Sequence, residues 1–108
     1  MLYFSDHATI PDKRRAPDFG GFGTVRIPMF TYFSDEYMAK FPQKVNTLRQ
    51  NEKQYFTNDL AYDLMCGIFN IKSNHFDESN CFASPLYKFT RETLKTNLGK
   101  INIKDDNN

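Results

Sequence analysis

Apolar residues open the chain, and polar residues follow them abruptly. The run Leu2-Tyr3-Phe4 contains two aromatic residues and is followed by Ser5. Aromatic side chains favour strands, so this run predicts a buried strand that ends just before Ser5. A second apolar run over residues 25–33 predicts another strand. Its Pro28 cannot donate to a sheet, so we expect the strand proper to cover 29–33.

The middle of the chain carries the start signals of two helices. Ser34 is a typical N-cap residue, and two acidic residues follow it where the helix dipole favours negative charge. Pro42 fits best in the first turn of a helix, because that position needs no amide hydrogen. A second helix is therefore expected to continue over 43–52, with Val45 and Leu48 as its buried pair.

The clearest helical pattern covers residues 59–70. Its apolar residues recur at i, i+3, i+4 and i+7, the spacing of one helix face. Thr57 or Asn58 is expected to cap this helix. The residues of the predicted apolar stripe are Ala61, Leu64, Met65 and Ile68.

The C-terminal part predicts a loop over 73–85 and one more short helix. Thr90 is a suitable cap, and Gly99 follows Leu98 at the place where glycine commonly ends a helix. The whole order predicts an α/β fold with two or three strands and three or four helices in one domain. Two strands alone would leave sheet edges and a sheet face uncovered. We therefore expect the chain to be part of a larger domain.

Composition narrows the classes of function. The chain has 108 residues, with 11 Phe and 6 Tyr, which is typical of a globular domain. Fourteen basic and thirteen acidic residues give a net charge of +1, so no overall field favours nucleic acid or an anionic membrane. No apolar run approaches the ~20 residues of a membrane span, and no signal-peptide pattern opens the chain. We expect a soluble chain without a targeting signal.

The two cysteines are too few for a disulfide framework. Cys66 lies in an apolar run and is expected to be a small buried residue, whereas Cys81 lies in a polar loop. A disulfide between them could form in an oxidising compartment, but their spacing does not argue for one.

Asp6 and His7 are the sharpest candidates for chemistry. A carboxylate and an imidazole are ligands that suit a zinc-like divalent ion. Side chains just beyond the carboxyl end of a strand point into the site crevice of open α/β sheets. An ordinary surface pair beside a turn is the alternative, because two ligands do not complete a metal site.

Other candidates are less specific. Arg14 and Arg15 match the geometry of phosphate oxygens, although a solvated loop is the ordinary explanation for such a basic stretch. His75 lies in a polar loop. Asp59 and Asp63 share a face of the predicted helix, and we expect them to form its polar side rather than an acid/base pair.

Several strings together resemble the C-terminal end of phosphoethanolamine transferases, a family within the alkaline phosphatase and sulfatase superfamily. The resemblance spans nearly the whole chain, and the combination is more specific than any single string. The matching strings are Leu2-Tyr3-Phe4-Ser5-Asp6-His7, Arg26-Ile27-Pro28-Met29, Tyr55-Phe56-Thr57-Asn58-Asp59-Leu60, Tyr62-Asp63, Ser73-Asn74-His75-Phe76-Asp77 and Leu98-Gly99-Lys100.

The resemblance implies the C-terminal portion of a sulfatase-like catalytic domain over residues 1–108. Such enzymes sit in the bacterial inner membrane with a periplasmic catalytic domain. They transfer phosphoethanolamine from a phospholipid donor to lipopolysaccharide or a related envelope glycan. A threonine nucleophile, activated by zinc, carries the transferred group. The resemblance makes Asp6 and His7 paired zinc ligands. Arg14 and Arg15 are candidates for substrate binding on their own chemistry, because their side chains match phosphate oxygens.

This chain departs from the family pattern after the metal-ligand pair. Ala8 and Thr9 follow His7 where family members commonly have Gly-Glu, and no further histidine occurs between His7 and Ile27. The threonine nucleophile and the remaining ligands are expected upstream, so the chain alone should be inactive and should need the missing N-terminal half. The alternatives are a small noncatalytic α/β interaction module and a fragment of a sulfatase or phosphodiesterase relative.

Overall fold

The structure is a computed structural model that describes residues 1–9 and 21–107. It divides into two compact units, Met1–Phe33 and Ser34–Asn108. Within the described residues it is a small mixed α/β chain with three α-helices and two small antiparallel sheets. The expectation of an α/β composition is confirmed at this level. No helix in the described ranges combines the length and the apolar character needed to cross a membrane.

The first unit contains a two-stranded sheet. Strand β1, Leu2–Phe4, pairs antiparallel with β2, Met29–Thr31, so that Tyr3 lies opposite Phe30. Both predicted strands are confirmed, although β2 is shorter than the predicted 29–33. The prediction that β1 is buried is wrong, because Tyr3 is 46% exposed and its strand neighbours are only half-buried. The Tyr3 ring stacks on the Phe30 ring of β2 with their centroids 4.7 Å apart, and Phe30 is 51% exposed.

The second unit begins with two helices whose starts follow from local signals. Helix α1 covers Asp35–Lys40, and the Ser34 side chain accepts a hydrogen bond of 3.2 Å from the Tyr37 amide, as expected of an N-cap. Helix α2 covers Pro42–Asn51 and has its proline at the first position. Val45 and Leu48 are buried as predicted.

Helix α3 covers Ala61–Phe69 and follows a short 3-10 turn at Asn58–Leu60. The predicted helix over 59–70 is confirmed in position, but its capping is not. The Thr57 hydroxyl makes no cap bond and instead donates to the Thr96 hydroxyl at 2.8 Å. The helix ends at Asn70, which adopts the left-handed conformation with φ of 54°.

The buried face of α3 differs from the predicted stripe. Leu64 and Ile68 are buried as predicted, but Met65 is 38% exposed. Cys66 and Asp63 are buried in its place. The prediction failed at Met65 because α3 is apolar around most of its circumference, so spacing alone does not select the side that packs.

The predicted short helix from Thr90 to Leu98 is wrong. Strand β3, Lys95–Thr96, pairs antiparallel with β4, Ile101–Asn102, and a turn joins them. Leu98 and Gly99 have φ angles of 56° and 78°, which no right-handed helix contains. Gly99 therefore serves a hairpin turn rather than a helix end.

The hydrophobic core of the described residues lies in the second unit. Leu64 and Leu94 are its most deeply buried large side chains. The aromatic rings beside this core pack edge-on or tilted at centroid distances of 5.0 to 5.7 Å. These rings belong to Phe56, Phe82, Tyr87 and Phe89.

Candidate functional site

Asp6 and His7 follow β1 in a tight local turn. The Asp6 Oδ1 atom accepts a hydrogen bond of 2.9 Å from the His7 amide. The Ser5 hydroxyl donates to the His7 carbonyl oxygen at 2.9 Å and also reaches Asp6 Oδ1 at 3.4 Å. Asp and Ser side chains commonly bond to the nearby backbone in this way, and the bonds hold the chain in a turn. The turn places the carboxylate and the imidazole side by side.

The two side chains face each other through their outer atoms. His7 Nε2 lies 3.3 Å from Asp6 Oδ2, and the side chains are 39% and 81% exposed, respectively. His7 Nδ1 lies 3.2 Å from the Ala8 carbonyl oxygen. Because a carbonyl oxygen can only accept, this contact requires a hydrogen on Nδ1. Nε2 is then the ring atom whose lone pair could bind a metal ion.

The electrostatics of the pair favour a cation between these atoms. The His7 amide lowers the pKa of the Asp6 carboxyl by donating a hydrogen bond, and the His7 charge and the Ser5 hydroxyl act in the same direction. Asp6 is therefore a carboxylate at neutral pH, and it faces the ring nitrogen. A metal ion bound at Nε2 would be attracted to this carboxylate.

The separation of the two atoms also suits zinc. Ligand atoms at ~2.0–2.2 Å from a tetrahedral zinc ion lie about 3.3–3.5 Å from each other. The observed 3.3 Å between Nε2 and Oδ2 falls at this spacing. Metal-bound histidines usually donate their other ring hydrogen to a carbonyl or a carboxylate, as Nδ1 does here. The donor set therefore fits two positions of a zinc site.

The pair does not form a complete site within the part of the chain that the structure describes. No group of three or more His, Cys, Asp or Glu side chains there could hold a metal ion. Catalytic zinc sites use three protein ligands and structural sites use four. Asp6 and His7 would therefore need at least one more ligand.

Of the remaining candidates, two lie outside the described residues and one lies in the second unit. Arg14 and Arg15 lie outside the described residues. His75 is an exposed loop residue of the second unit, and its amide donates to the Ser73 hydroxyl at 3.1 Å. The structure thus places the second histidine in a turn of its own.

Asp59 and Asp63 have separate structural roles. Asp59 Oδ2 accepts a hydrogen bond of 2.8 Å from the Leu98 amide and so holds the hairpin turn. Asp63 was expected on a polar surface, but it is buried and accepts from the Asp77 amide at 2.8 Å. Its other oxygen accepts from the Asn80 side-chain amide at 3.3 Å. Asp63 therefore anchors the loop after α3, a role that the sequence pattern did not indicate.

A groove of about 720 Å³ runs between α2 and the residues after α3. Its floor includes Cys66, Gly67 and Cys81, and its rim carries Lys44. The Lys44 ammonium donates to the Gly67 carbonyl oxygen at 2.5 Å and to the Asn70 side-chain oxygen at 3.4 Å. This lysine compensates carbonyl groups at the C-terminal end of α3, which is an ordinary stabilising role.

The two cysteines are both buried and both free. The prediction for Cys66 is confirmed. Cys81 lies in a loop as expected, but it is buried there against α3 at Gly67. Burial raises the pKa of the Cys81 thiol, and the nearby carboxylates act in the same direction. Such a thiol is a packing residue rather than a nucleophile.

Comparisons with known proteins identify no relative. No protein-family model matches the chain, and neither the curated proteins nor the solved structures yield a match.

Proposed function

We propose that this chain is the C-terminal part of a metal-dependent phosphoethanolamine transferase with a sulfatase-like fold, and that it supplies Asp6 and His7 to a zinc site. The observation that carries the proposal is the arrangement of His7 Nε2 and Asp6 Oδ2, which face each other at 3.3 Å while Nδ1 contacts the Ala8 carbonyl oxygen. The sequence resemblance supplies the family. The proposal combines the geometry of Asp6 and His7 with the family that the sequence resembles.

The residues of this chain would hold the zinc ion and orient the two side chains that bind it. Ser5 and the His7 amide fix the Asp6 carboxylate, and the Ala8 carbonyl oxygen fixes the ring of His7. Zinc would supply a positive charge that lowers the pKa of an attacking hydroxyl group and offsets negative charge on the phosphoryl group. In the proposed family that hydroxyl belongs to a threonine outside this chain. The donor is a phospholipid, and the acceptor is lipopolysaccharide or a related envelope glycan in the periplasm.

One observation supports a role as part of a larger enzyme. The β1–β2 sheet leaves Tyr3 and Phe30 about half exposed. Two-stranded sheets are marginal by themselves and are normally completed by more strands or by a covering helix. A catalytic domain that adds strands would cover these rings.

Co-expression with an upstream portion tests this function. The chain would be produced together with the membrane and nucleophile-bearing portion of a phosphoethanolamine transferase, and transfer from a labelled phospholipid would be measured. We expect no turnover by the chain alone and measurable turnover by the pair. His7→Gln and Asp6→Asn should abolish the restored transfer, whereas the matched control His75→Gln should leave it unchanged.

Three outcomes would contradict the proposal. Turnover by the chain alone would show that no upstream portion is needed. Restored transfer that survives both site variants would remove their role as zinc ligands. A pair that never transfers phosphoethanolamine but hydrolyses a sulfate ester or a phosphodiester would favour a sulfatase or phosphodiesterase relative.

A further inference from the structure

The backbone of Ala8 connects the His7 ring to a turn that comes later in the chain. The Ala8 amide donates a hydrogen bond of 2.8 Å to the Thr24 carbonyl oxygen. The carbonyl oxygen of the same residue, Ala8, lies 3.2 Å from His7 Nδ1. Thr24 belongs to the 3-10 turn Phe22–Thr24. The orientation of the imidazole ring is therefore coupled to this turn through a single residue.

The turn itself is closed by the two polar groups of Thr24. The Thr24 amide and the Thr24 hydroxyl both donate to the Gly21 carbonyl oxygen, at 3.0 and 2.7 Å. Threonine hydroxyls commonly bond to the nearby backbone in turns. Gly21 has a φ of 100°, a conformation that residues with a side chain rarely adopt. Thr24 and Gly21 together therefore fix the position of the Thr24 carbonyl oxygen, which holds Ala8.

The neutral imidazole ring has one hydrogen for two neighbouring acceptors. The Ala8 carbonyl oxygen faces Nδ1, and the Asp6 carboxylate faces Nε2 at 3.3 Å. A hydrogen on Nε2 would bond to Asp6 and would block that nitrogen for a metal ion. A hydrogen on Nδ1 leaves the lone pair of Nε2 available. The ratio of the two tautomers therefore depends on how firmly the Ala8 carbonyl oxygen is held beside the ring.

We infer that Thr24 is a positioning residue for His7. Its hydroxyl fixes the turn that holds Ala8, and the Ala8 carbonyl oxygen keeps the ring hydrogen on Nδ1. Thr24 acts through the Ala8 backbone rather than by direct contact with the ring. The consequence for zinc rests on the proposed function, whereas the effect on the ring does not.

Nuclear magnetic resonance of labelled histidine ring nitrogens tests this inference in the full-length, untagged chain. At alkaline pH, where imidazole is neutral, the nitrogen shifts report the ratio of the Nδ1–H tautomer to the Nε2–H tautomer. Thr24→Val removes the hydroxyl and keeps the branched shape. It should lower this ratio at His7 by about two-fold or more, which corresponds to weakening one ordinary hydrogen bond. Thr24→Ser keeps the hydroxyl and should retain the wild-type ratio. Thr31→Val in strand β2 is the matched control, and His75 is the internal reference.

Gly21→Ala disturbs the same turn by a different route. The added Cβ would meet no atom within 4 Å, so this variant acts only through the φ of 100°. We expect the same direction of change as for Thr24→Val. Zinc added to each variant gives a second readout. Half of the His7 shift should require about two-fold more zinc or above, because only the Nδ1–H form offers Nε2 to the metal.

The outcomes separate this inference from the proposed function. Tautomer ratios equal to that of the wild type in both Thr24→Val and Gly21→Ala would overturn the inference, even if both variants lose thermal stability, and would leave the proposed function standing. A ratio in Thr24→Ser as low as that in Thr24→Val would overturn the role of the hydroxyl. Ratios that change as expected, in a chain whose His7 never responds to zinc, would support the positioning role and overturn the zinc site.

Discussion

Replacing Gly67 by alanine should destabilise the chain through a single close contact. A Cβ atom at position 67 would lie 2.3 Å from the Cys81 sulfur, far inside van der Waals contact. The next nearest atoms, the Cβ atoms of Cys81 and Ala83, would lie at 3.8 and 3.9 Å, which are ordinary contacts. The conflict therefore involves the Cys81 sulfur alone.

The magnitude follows from two opposing effects. Alanine favours a helix interior over glycine by about 1 kcal/mol. Forcing an extra methyl group into a packed site costs about 1–3 kcal/mol, and Cys81 is only 1% exposed, so its sulfur has little room to move. The 2.3 Å contact places this cost at about 2–3 kcal/mol, the upper end of the range. After the helix preference is subtracted, we expect Gly67→Ala to lower the free energy of unfolding by about 1–2 kcal/mol, as measured by urea denaturation.

A second substitution isolates the contact between position 67 and the Cys81 sulfur. Cys81→Ala removes the sulfur, so Gly67→Ala in that background should no longer clash and should gain its helix preference. The coupling energy between the two changes should therefore be at least about 1 kcal/mol. Gly99→Ala is the matched control, because its cost arises from a φ of 78° with no atom near the added Cβ, and Cys81→Ala should not rescue it. Additive effects of Gly67→Ala and Cys81→Ala would refute the reasoning.

Three further changes test the packing, the turn and the charges. Leu64→Ala should lower the free energy of unfolding by about 2–5 kcal/mol in urea denaturation, because the side chain is fully buried; a change near zero would place it at the surface. Leu98→Asn should raise the melting temperature, because Leu98 has a φ of 56° that costs leucine about 1 kcal/mol and that asparagine tolerates. The leucine side chain is 83% exposed, so its removal loses no buried contact. The Ser79 hydroxyl donates to the Asp77 carboxylate and lowers the pKa of Asp77 below its ordinary 3.8. Asp77 therefore stabilises the folded chain above pH 3.8, and this stabilisation is lost as the pH falls through the lower pKa of the folded state. Asp77→Asn should flatten this acid limb of the stability profile, and an unchanged limb would contradict the assignment.

Local signals predicted the parts of the fold that local physics decides. Ser34 caps α1 as expected, and Pro42 opens α2, because each residue satisfies a need of the helix terminus beside it. Val45 and Leu48 are buried because α2 has only one apolar side. These features required no knowledge of distant residues.

The hairpin at the C-terminus was missed because the sequence around its turn matches the residue pattern of a helix end. A polar residue at Thr90 and a glycine at Gly99 fit the pattern of a capped helix. The deciding interactions come from elsewhere in the chain. Asp59 accepts from the Leu98 amide, and the Thr57 hydroxyl donates to Thr96 inside the core, so contacts across 39 residues select the hairpin.

The candidate site could be predicted only in part from the sequence. The adjacency of Asp6 and His7 after an apolar run indicated a pair of ligands, and the structure brings their outer atoms to 3.3 Å. The orientation of the ring depends on the Ala8 carbonyl oxygen, which no residue pattern reveals. The buried roles of Asp63 and Cys81 were also missed, because each is set by a loop that folds back onto α3.

A zinc titration followed by nuclear magnetic resonance tests the central claim most directly. With the histidine ring nitrogens of the isolated chain labelled, zinc should shift the His7 Nε2 signal while the His75 signals stay in place as an internal control. Two ligands bind far more weakly than a closed site, so the shift should require a large excess of zinc and should disappear in Asp6→Asn. Tight one-to-one binding would show that the site is already complete in this chain. A His7 signal that does not respond to zinc would contradict its role as a ligand.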